Sequence, residues 1–440
     1  LFREDAVTPS RFTADAVAAL PGPAWLAEAR QGAFERFQAS PLPSESEEVW
    51  RYSRIDELDL EAYSPALDGP GAARADQALA GVSGLLSGAG RRAGLVVAGE
   101  GGVLQAELDP GLASKGVALG SLASDPDGAS LLGAVAQAPD ALVELAGAFV
   151  ADPVEVRVPA GVVVEDPLVV VHWSSQEGGA SFPRTVVRLE EGAVANVVEV
   201  VASPDLSGLV APVTEIDVAE RACLGYLGVQ HLGRRVWQVA YQASRVGRDG
   251  RLTSFAASLG GHYARLRTDS VLAGQGGEAA LLAAYFGDGA QMHDFRTKQD
   301  HDAPSTTSDL LFKGAVAGAA RSVYSGLIRV RRGAHGTNAF QTNRNLVLSA
   351  GAHADSVPNL DIAENDVRCS HASAVGPIDP EQRYYLETRG VPPEVADRLI
   401  VLGFFDDILA RSPVPALAPH LRRMVAARLA DPVAGPEEEE

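Results

Sequence analysis

VEVRVPAGVVVEDPLVVVHWSSQEGGASFPRTVVRLEEGAVANVVEVV, Val154 to Val201, decides the fold. Its pieces VEVRV, VVVEDPLVVV, RTVVRL and ANVVEVV are short and valine-rich, the composition of strands. No helical stretch separates them, which argues against a doubly wound α/β sheet. The same texture continues to Ile362. A small-residue turn recurs ahead of a strand: EEGAVANVVEV from Glu190, AERACLGYLGV from Ala219, GRDGRLTSFAA from Gly247, GQGGEAALLAA from Gly274, VAGAARSVYSG from Val316, RRGAHGTNAFQ from Arg331 and SAGAHADSVPN from Ser349. The starts lie about 15 to 42 residues apart, a loose echo rather than a strict repeat. Short strands, few helices and loose repetition predict a coiled β architecture in which each turn stacks on the next. At about 20 to 25 residues per turn this region makes about nine turns, a rod ~45 Å long at ~4.8 Å between strands. A sandwich or jelly roll is the alternative, but its hairpin signals are sparse, Asp249-Gly250 being the main one.

The flanks read differently. Ser10 to Ala39 carries apolar residues at helical intervals, interrupted by Pro21 and Pro23. Trp50, Tyr52, Ile55, Leu58 and Leu60 are aromatic and aliphatic anchors for a core or a partner domain. Gly94 to Leu108 reads as a hairpin and Leu131 to Phe149 as a helix. On the C-terminal side, Asp379-Pro380-Glu381-Gln382 is a helix entry with Asp379 as N-cap, and Gly390 ends that helix. Pro393-Glu394 opens a second helix. Its last turns, LGFFDDIL, are apolar around much of the circumference, more than one core-facing stripe requires. Leu399, Leu402, Phe404, Phe405 and Ile408 are therefore candidates for a partner groove, with burial between two other elements as the alternative. Ala416 to Leu429 reads as a short amphipathic helix. The expected division is a mostly helical domain over 1–150, a β core over 151–365 and a C-terminal helical domain over 366–440, ending in the acidic tail Glu437–Glu440.

Composition narrows the function. The chain has 440 residues, ordinary hydrophobic content at 46% and a formal charge of −20. That charge argues against nucleic acid and against an anionic membrane face. No apolar run reaches the roughly 18 residues of a membrane-spanning helix. The start, LFREDAVTPS, shows no signal peptide. With only Cys223 and Cys369, there is no disulfide framework, and a reducing cytoplasm is the expected compartment. There is no GxxxxGK[ST] loop, no GxSxG elbow, no CxxC and no HExxH, so neither nucleotide hydrolysis nor these hydrolase chemistries are expected of this chain. The cluster Met292 to Asp309, with His293, Asp294, Asp300, His301 and Asp302, reads as a polar, hydrogen-bonded turn. Cys223, set in ACLGYLGV, reads as core.

One pair stands out. In DVRCSHASAVG, Cys369 and His371 share a face of an extended strand, offering a thiolate and an imidazole in one direction. Two such groups are half of a tetrahedral metal site. A core cysteine beside a hydrogen-bonded histidine is the plain alternative. Arg368 could lower the thiol pKa if its charge approaches the sulfur.

Taken in order, MHDFRTKQDHDAPSTTSDLLFKG (Met292–Gly314), VYSGLIRVRRGAHGTNAFQTNRNLVLS (Val323–Ser349), PNLDIAENDVRCSHASAVG (Pro358–Gly376) and DPEQRYYLETRG (Asp379–Gly390) resemble the SufB/SufD family of the SUF iron–sulfur cluster assembly system. VWRYSRIDELDL and LAGAFVADPVEVRVPAGVVVEDPLVV add weaker support. Within the family the SufD branch is the nearer. SufB carries its assembly cysteine in a segment resembling TQCDSLLIG, where this chain has QTNRNLVLS with Asn343 near that position. Cys369-Ser370-His371 is similar to the SufD pattern. The usual His-Gly-Ala-Thr stands here as His371-Ala372-Ser373-Ala374.

The resemblance implies a mainly β fold, a right-handed parallel β-helix between N-terminal and C-terminal helical domains. It implies a non-catalytic scaffold subunit that pairs with a SufB-like paralogue along the β-helix, or forms a homodimer in isolation, and anchors the ABC-type ATPase SufC through its C-terminal helices. His371 would help hold a transient iron–sulfur cluster shared with SufB, with Cys369 and Arg368 near that interface. No nucleotide is expected on this chain, and a flavin in the complex is left open. A SufB-type scaffold, a purely structural β-helix module and a stand-alone β-helix enzyme are the rival readings. The last lacks the secretion signal or strict hexapeptide repeats it would need.

Overall fold

The computed structural model describes residues 11–66 and 72–430. Ser10 and the acidic tail Glu437–Glu440 lie outside the described residues. Strands coil into a parallel β-solenoid of about eight turns, flanked by helices at both ends. Each turn contributes one strand to each of two sheets, and strands within a sheet stack in register. Neighbours in a sheet lie 26 residues apart at Trp237 and Tyr263, and 32 apart at Arg321 and His353. The turn is thus longer, and the turns fewer, than the sequence spacing suggested. The turns from Glu190, Ala219, Gly247, Gly274 and Arg331 enter one sheet, whereas those from Val316 and Ser349 enter the other. Mixing two interleaved series scattered the apparent period.

The stacking is fixed at one corner. Ahead of the strands of one sheet, a left-handed residue recurs at Gly192 (φ 66°), Arg221 (56°), Asp249 (51°), Gly276 (72°), Ser305 (57°) and Gly336 (72°). Each donates its backbone N–H to a carbonyl one turn further on. Gly192 reaches Glu220 at 2.9 Å, Arg221 reaches Arg248 at 2.8 Å, and the ladder continues to Gly336 on Asp366 at 2.7 Å. Glycine adopts this φ freely, while Arg221, Asp249 and Ser305 hold it at a cost of roughly 1 kcal/mol or more. The ladder keeps successive strands level, so side chains pointing into the solenoid align in columns.

The interior changes character along its axis. In the first turns it is largely aliphatic, with Val156, Val170, Val187, Val197, Ile216 and Val218 fully buried around one hydrogen-bonded polar group, His172, Thr185, Glu199, Thr214 and Tyr226. Toward the C-terminal end the columns become polar: Leu281, Leu310, Gln341 and His371 form one, and Ala283, Phe312, Asn343 and Ser373 another. Two of the buried amides there, Asn343 and Asn345, are tied together. The Tyr285 hydroxyl donates to Asn345 Oδ1 at 2.6 Å, and Asn345 Nδ2 donates to Asn343 Oδ1 at 2.8 Å.

The N-terminal region has helices Ala14–Ala18 and Ala24–Ala39, the latter packed on Ala141–Phe149. Phe12, Phe34, Phe149 and Phe182 meet edge-to-face or tilted at centroid distances of 5.3 to 6.2 Å. Arg30 is wholly buried and its guanidinium donates to the carbonyls of Leu20, Pro21, Val150 and Ala151. Burial pulls its pKa down to about 10, still charged at neutral pH. Gly94–Gly99 and Gly102–Leu108 form the expected antiparallel hairpin, which joins the solenoid through the strand Leu168–Trp173. Only the second half of the expected Leu131–Phe149 helix forms, capped by Asp140.

At the other end, the strand Val367–Gly376 pairs with Thr337–Val347 and is the last rung, so the solenoid runs through Gly376 rather than stopping at 365. Asp379 caps the helix Pro380–Glu387, accepting from the Glu381 N–H at 2.9 Å. The helix Pro393–Leu409 then folds back against the outer face of one sheet, followed by Ala418–Ala430. Val401, Leu402, Phe405, Ile408, Leu417, Leu421 and Val425 join Phe255, Leu282 and Phe286 in one core. Lys313 donates to the Phe404 carbonyl at 3.0 Å, and Arg428 pairs with buried Asp288 at 2.8 Å.

Candidate functional site

The C-terminal end of the solenoid is open. His353–Ile362 and Val367–Gly376 are the last strands of the two sheets, and among the described residues neither has a partner on its outer edge. Each therefore presents a row of backbone N–H and C=O groups ready to pair with another strand. The side chains over this opening would be interior on any earlier turn. Leu360, Ile362 and Val375 are 38%, 41% and 45% exposed. Such apolar exposure at the end of a packed column marks a contact surface.

His371 and Cys369 sit on this rung. In register, Cys369 stacks on buried Ala339 and His371 on buried Gln341, so both belong to the inward-facing columns. The sequence pairing of thiol and imidazole on one face is thus realised, with His371 exposed and Cys369 half-buried. Cys369 packs beside Ile328, Val330 and Ala339. Burial pushes its thiol pKa up, partly offset by a hydrogen bond from the Ala339 backbone.

Arg368 does not do what was expected of it. As the neighbour of Cys369 in a strand it faces the opposite side, stacking on Asn338, and is exposed. With the thiol raised rather than lowered, activation of Cys369 by Arg368 is not supported by the geometry.

Other expectations are corrected as well. Cys223 is exposed at the start of its strand rather than buried. The Met292–Asp309 cluster is not a turn but a strand followed by a turn, and its members divide between two faces. His293 and His301 point inward, His301 bonding Thr306 at 2.7 Å and Ser308 at 2.9 Å. Asp294 points outward, paired with Arg265 and Arg296, both at 2.6 Å. Of the five helix residues proposed for partner binding, Leu402, Phe405 and Ile408 are buried in this chain's own core. The extra apolar circumference of LGFFDDIL is consumed by the sheet on one side and the closing helix on the other. Phe404 is partly buried, and only Leu399 stands exposed, at 47%. The exposed apolar surface of this region is instead Tyr384, Tyr385, Val395 and Leu399.

Sequence reasoning missed Gln341. It is buried beneath His371, and neither end of its amide has a hydrogen-bond partner among the described residues. A period of about 30 residues, read from strand to strand within one sheet, aligns it with His371. Among the described residues no group of three His, Cys, Asp or Glu side chains could hold a metal ion. Cys369 and His371 are two donors on an edge, and any third or fourth must be brought by whatever meets that edge.

The match to known proteins covers this part of the chain. Residues 172–404 match the SufBD core domain of the SUF system for FeS cluster assembly. The chain belongs to the SufBD family. An iron-sulfur cluster assembly SufBD family protein of Mycobacterium tuberculosis is 36% identical over 271 residues, 60% of this chain and 66% of that protein. A Mycobacterium leprae member is 40% identical over 190 residues, 41% of this chain and 48% of its own. A Staphylococcus epidermidis member is 26% identical over 261 residues, 59% and 56% of the respective chains. The matched stretch thus spans just under two thirds of these SufBD relatives at most. Among the described residues, no helix is long and apolar enough to cross a membrane.

Proposed function

We propose that this chain is a non-catalytic, SufD-type scaffold subunit that docks through the open end of its solenoid onto a SufB-like paralogue and helps assemble an iron–sulfur cluster there. The observation that carries this reading is the coincidence of three features on one rung: unpaired strand edges, exposed apolar side chains and the donor pair Cys369 and His371. Edge pairing would bury Leu360, Ile362 and Val375 and bring the partner's side chains over His371. Iron and sulfide are cargo at such a site, and a thiolate and an imidazole are ligand types suited to them. His371 is the better placed ligand, being exposed, while Cys369 is a neighbour whose raised thiol pKa disfavours the thiolate.

Asn343 supports the SufD-type reading over a SufB-type one. It stands near the place of the SufB assembly cysteine, and here it is a buried amide donating toward Tyr285 at 3.2 Å. Anchoring of a SufC-like ATPase falls to the exposed surface Tyr384, Tyr385, Val395 and Leu399, with Phe405 and its neighbours holding the helix in place. Coexpression with a SufB-like protein tests the docking. Val375→Asp together with Leu360→Asp should abolish copurification while leaving the monomer folded; retained copurification would reject the open end as the interface.

A further inference from the structure

The strand beneath the open rung, Thr337–Val347, turns Thr337, Ala339, Gln341, Asn343 and Asn345 into the solenoid. Thr337 donates to the Ala334 carbonyl at 2.8 Å. Asn343 and Asn345 are bonded to each other and to Tyr285. Ala339 has no polar side-chain group. Of these, only Gln341 keeps both a donor and an acceptor unbonded among the described residues, although it is 1% exposed. We infer that Gln341 is a positioning residue for His371: its carboxamide oxygen accepts the inward ring N–H and leaves the outward nitrogen unprotonated to meet iron. The role rests on the cluster site proposed above for His371.

The place of the amide supports this. It reaches across the interior to Gly326 on the facing strand, where a Cβ would lie 2.7 Å from Gln341 Oε1 and collide with the Tyr324 hydroxyl. Glycine at 326 thus gives the carboxamide its room. On the next rung Gly326 is followed by Pro358, and Gln341 by His371. Proline brings no polar side-chain group, so in these two columns the imidazole is what the amide can meet. Strands in a sheet lie ~4.8 Å apart, a gap that rotation of the two side chains closes to hydrogen-bond length. In the free chain His371 is exposed and water serves its ring. Docking onto the open edge removes that water, and the amide becomes the inner partner. An unbonded buried amide is unfavourable for the lone chain. A bond formed on docking accounts for glutamine where the two preceding rungs carry Leu281 and Leu310. The group bonded to the second nitrogen of a ligating histidine fixes its tautomer and orientation.

The complex with a SufB-like paralogue, prepared without iron and with 15N-labelled histidine in this chain, tests the assignment. The ring nitrogen shifts of His371 at pH 8, identified by their loss in His371→Ala, should show one tautomer in wild type and a mixture in Gln341→Leu. Gln341→Glu, which keeps an acceptor, should keep the inward nitrogen protonated. Anaerobic reconstitution should give about 10-fold less cluster in Gln341→Leu, with the complex intact by gel filtration, and more in Gln341→Glu. Leucine suits this column, so the loss would not reflect misfolding. An unchanged tautomer or an unchanged cluster yield in Gln341→Leu, where His371→Ala has lost its cluster, would overturn the positioning role alone. A full cluster in His371→Ala would overturn it together with the reading on which it rests.

Discussion

Gln341 and His371 are register partners on the last two rungs of one sheet, the first buried and the second exposed. They continue a column whose two preceding rungs carry Leu281 and Leu310, where leucine is the fitting residue. A buried amide with neither end bonded costs roughly 1–3 kcal/mol. Gln341→Leu should therefore raise the unfolding free energy of the isolated chain by about 1–3 kcal/mol, read by urea titration. If the amide serves His371 in the complex, the same variant lowers cluster yield. A stability loss would show that the amide is satisfied in the free chain.

The C-terminal helix separates anchoring from docking. Phe405 is fully buried against the sheet, so Phe405→Ala should destabilise the chain by about 3–5 kcal/mol. Leu399→Asp should leave the melting temperature within a few degrees of wild type yet prevent copurification with a SufC-like ATPase. Retained copurification would move the ATPase surface off this helix.

Burial lowers the pKa of His293 and of His301 to about 4. Between pH 4 and the ordinary value of 6.5, the unfolded chain then binds more protons than the folded one. Their contribution is fully present above pH 6.5 and falls as the pH drops toward 4, by up to about 3 kcal/mol for each histidine. His293→Phe should flatten part of this slope in denaturation measured from pH 7 to pH 4. An unchanged slope would show that His293 does not titrate in this window.

The two cysteines should react unequally. Cys223 is exposed, whereas Cys369 is half-buried with its thiol pKa raised by burial. At pH 7.5 iodoacetamide should label Cys223 first in the free chain, and the paralogue should protect Cys369 further, as read by peptide mass spectrometry. Faster labelling of Cys369 would indicate an activated thiolate that the structure does not explain.

The solenoid was legible because its strands are valine-rich and its turns repeat small residues. Its true period was not, because turns entering the two sheets look alike: EEGAVANVVEV and VAGAARSVYSG feed different sheets. The shared face of Cys369 and His371 followed from simple alternation along a strand. That Arg368 faces away follows from the same alternation, and adjacency in sequence concealed it. Helix existence was also readable at Asp379 and Pro393. Which side of LGFFDDIL meets the sheet was not, since a helix apolar on most sides carries no directional signal. Gln341 escaped notice because its significance lies in a neighbour 30 residues away.

The most direct test is anaerobic coexpression of this chain with a SufB-like paralogue and a SufC-like ATPase, comparing wild type with His371→Ala. Visible absorption and Mössbauer spectra of the purified complex report the cluster, and gel filtration reports the assembly. The predicted result is an intact complex of unchanged size with its cluster signal largely lost. A complex of His371→Ala that carries the full wild-type cluster would contradict the account.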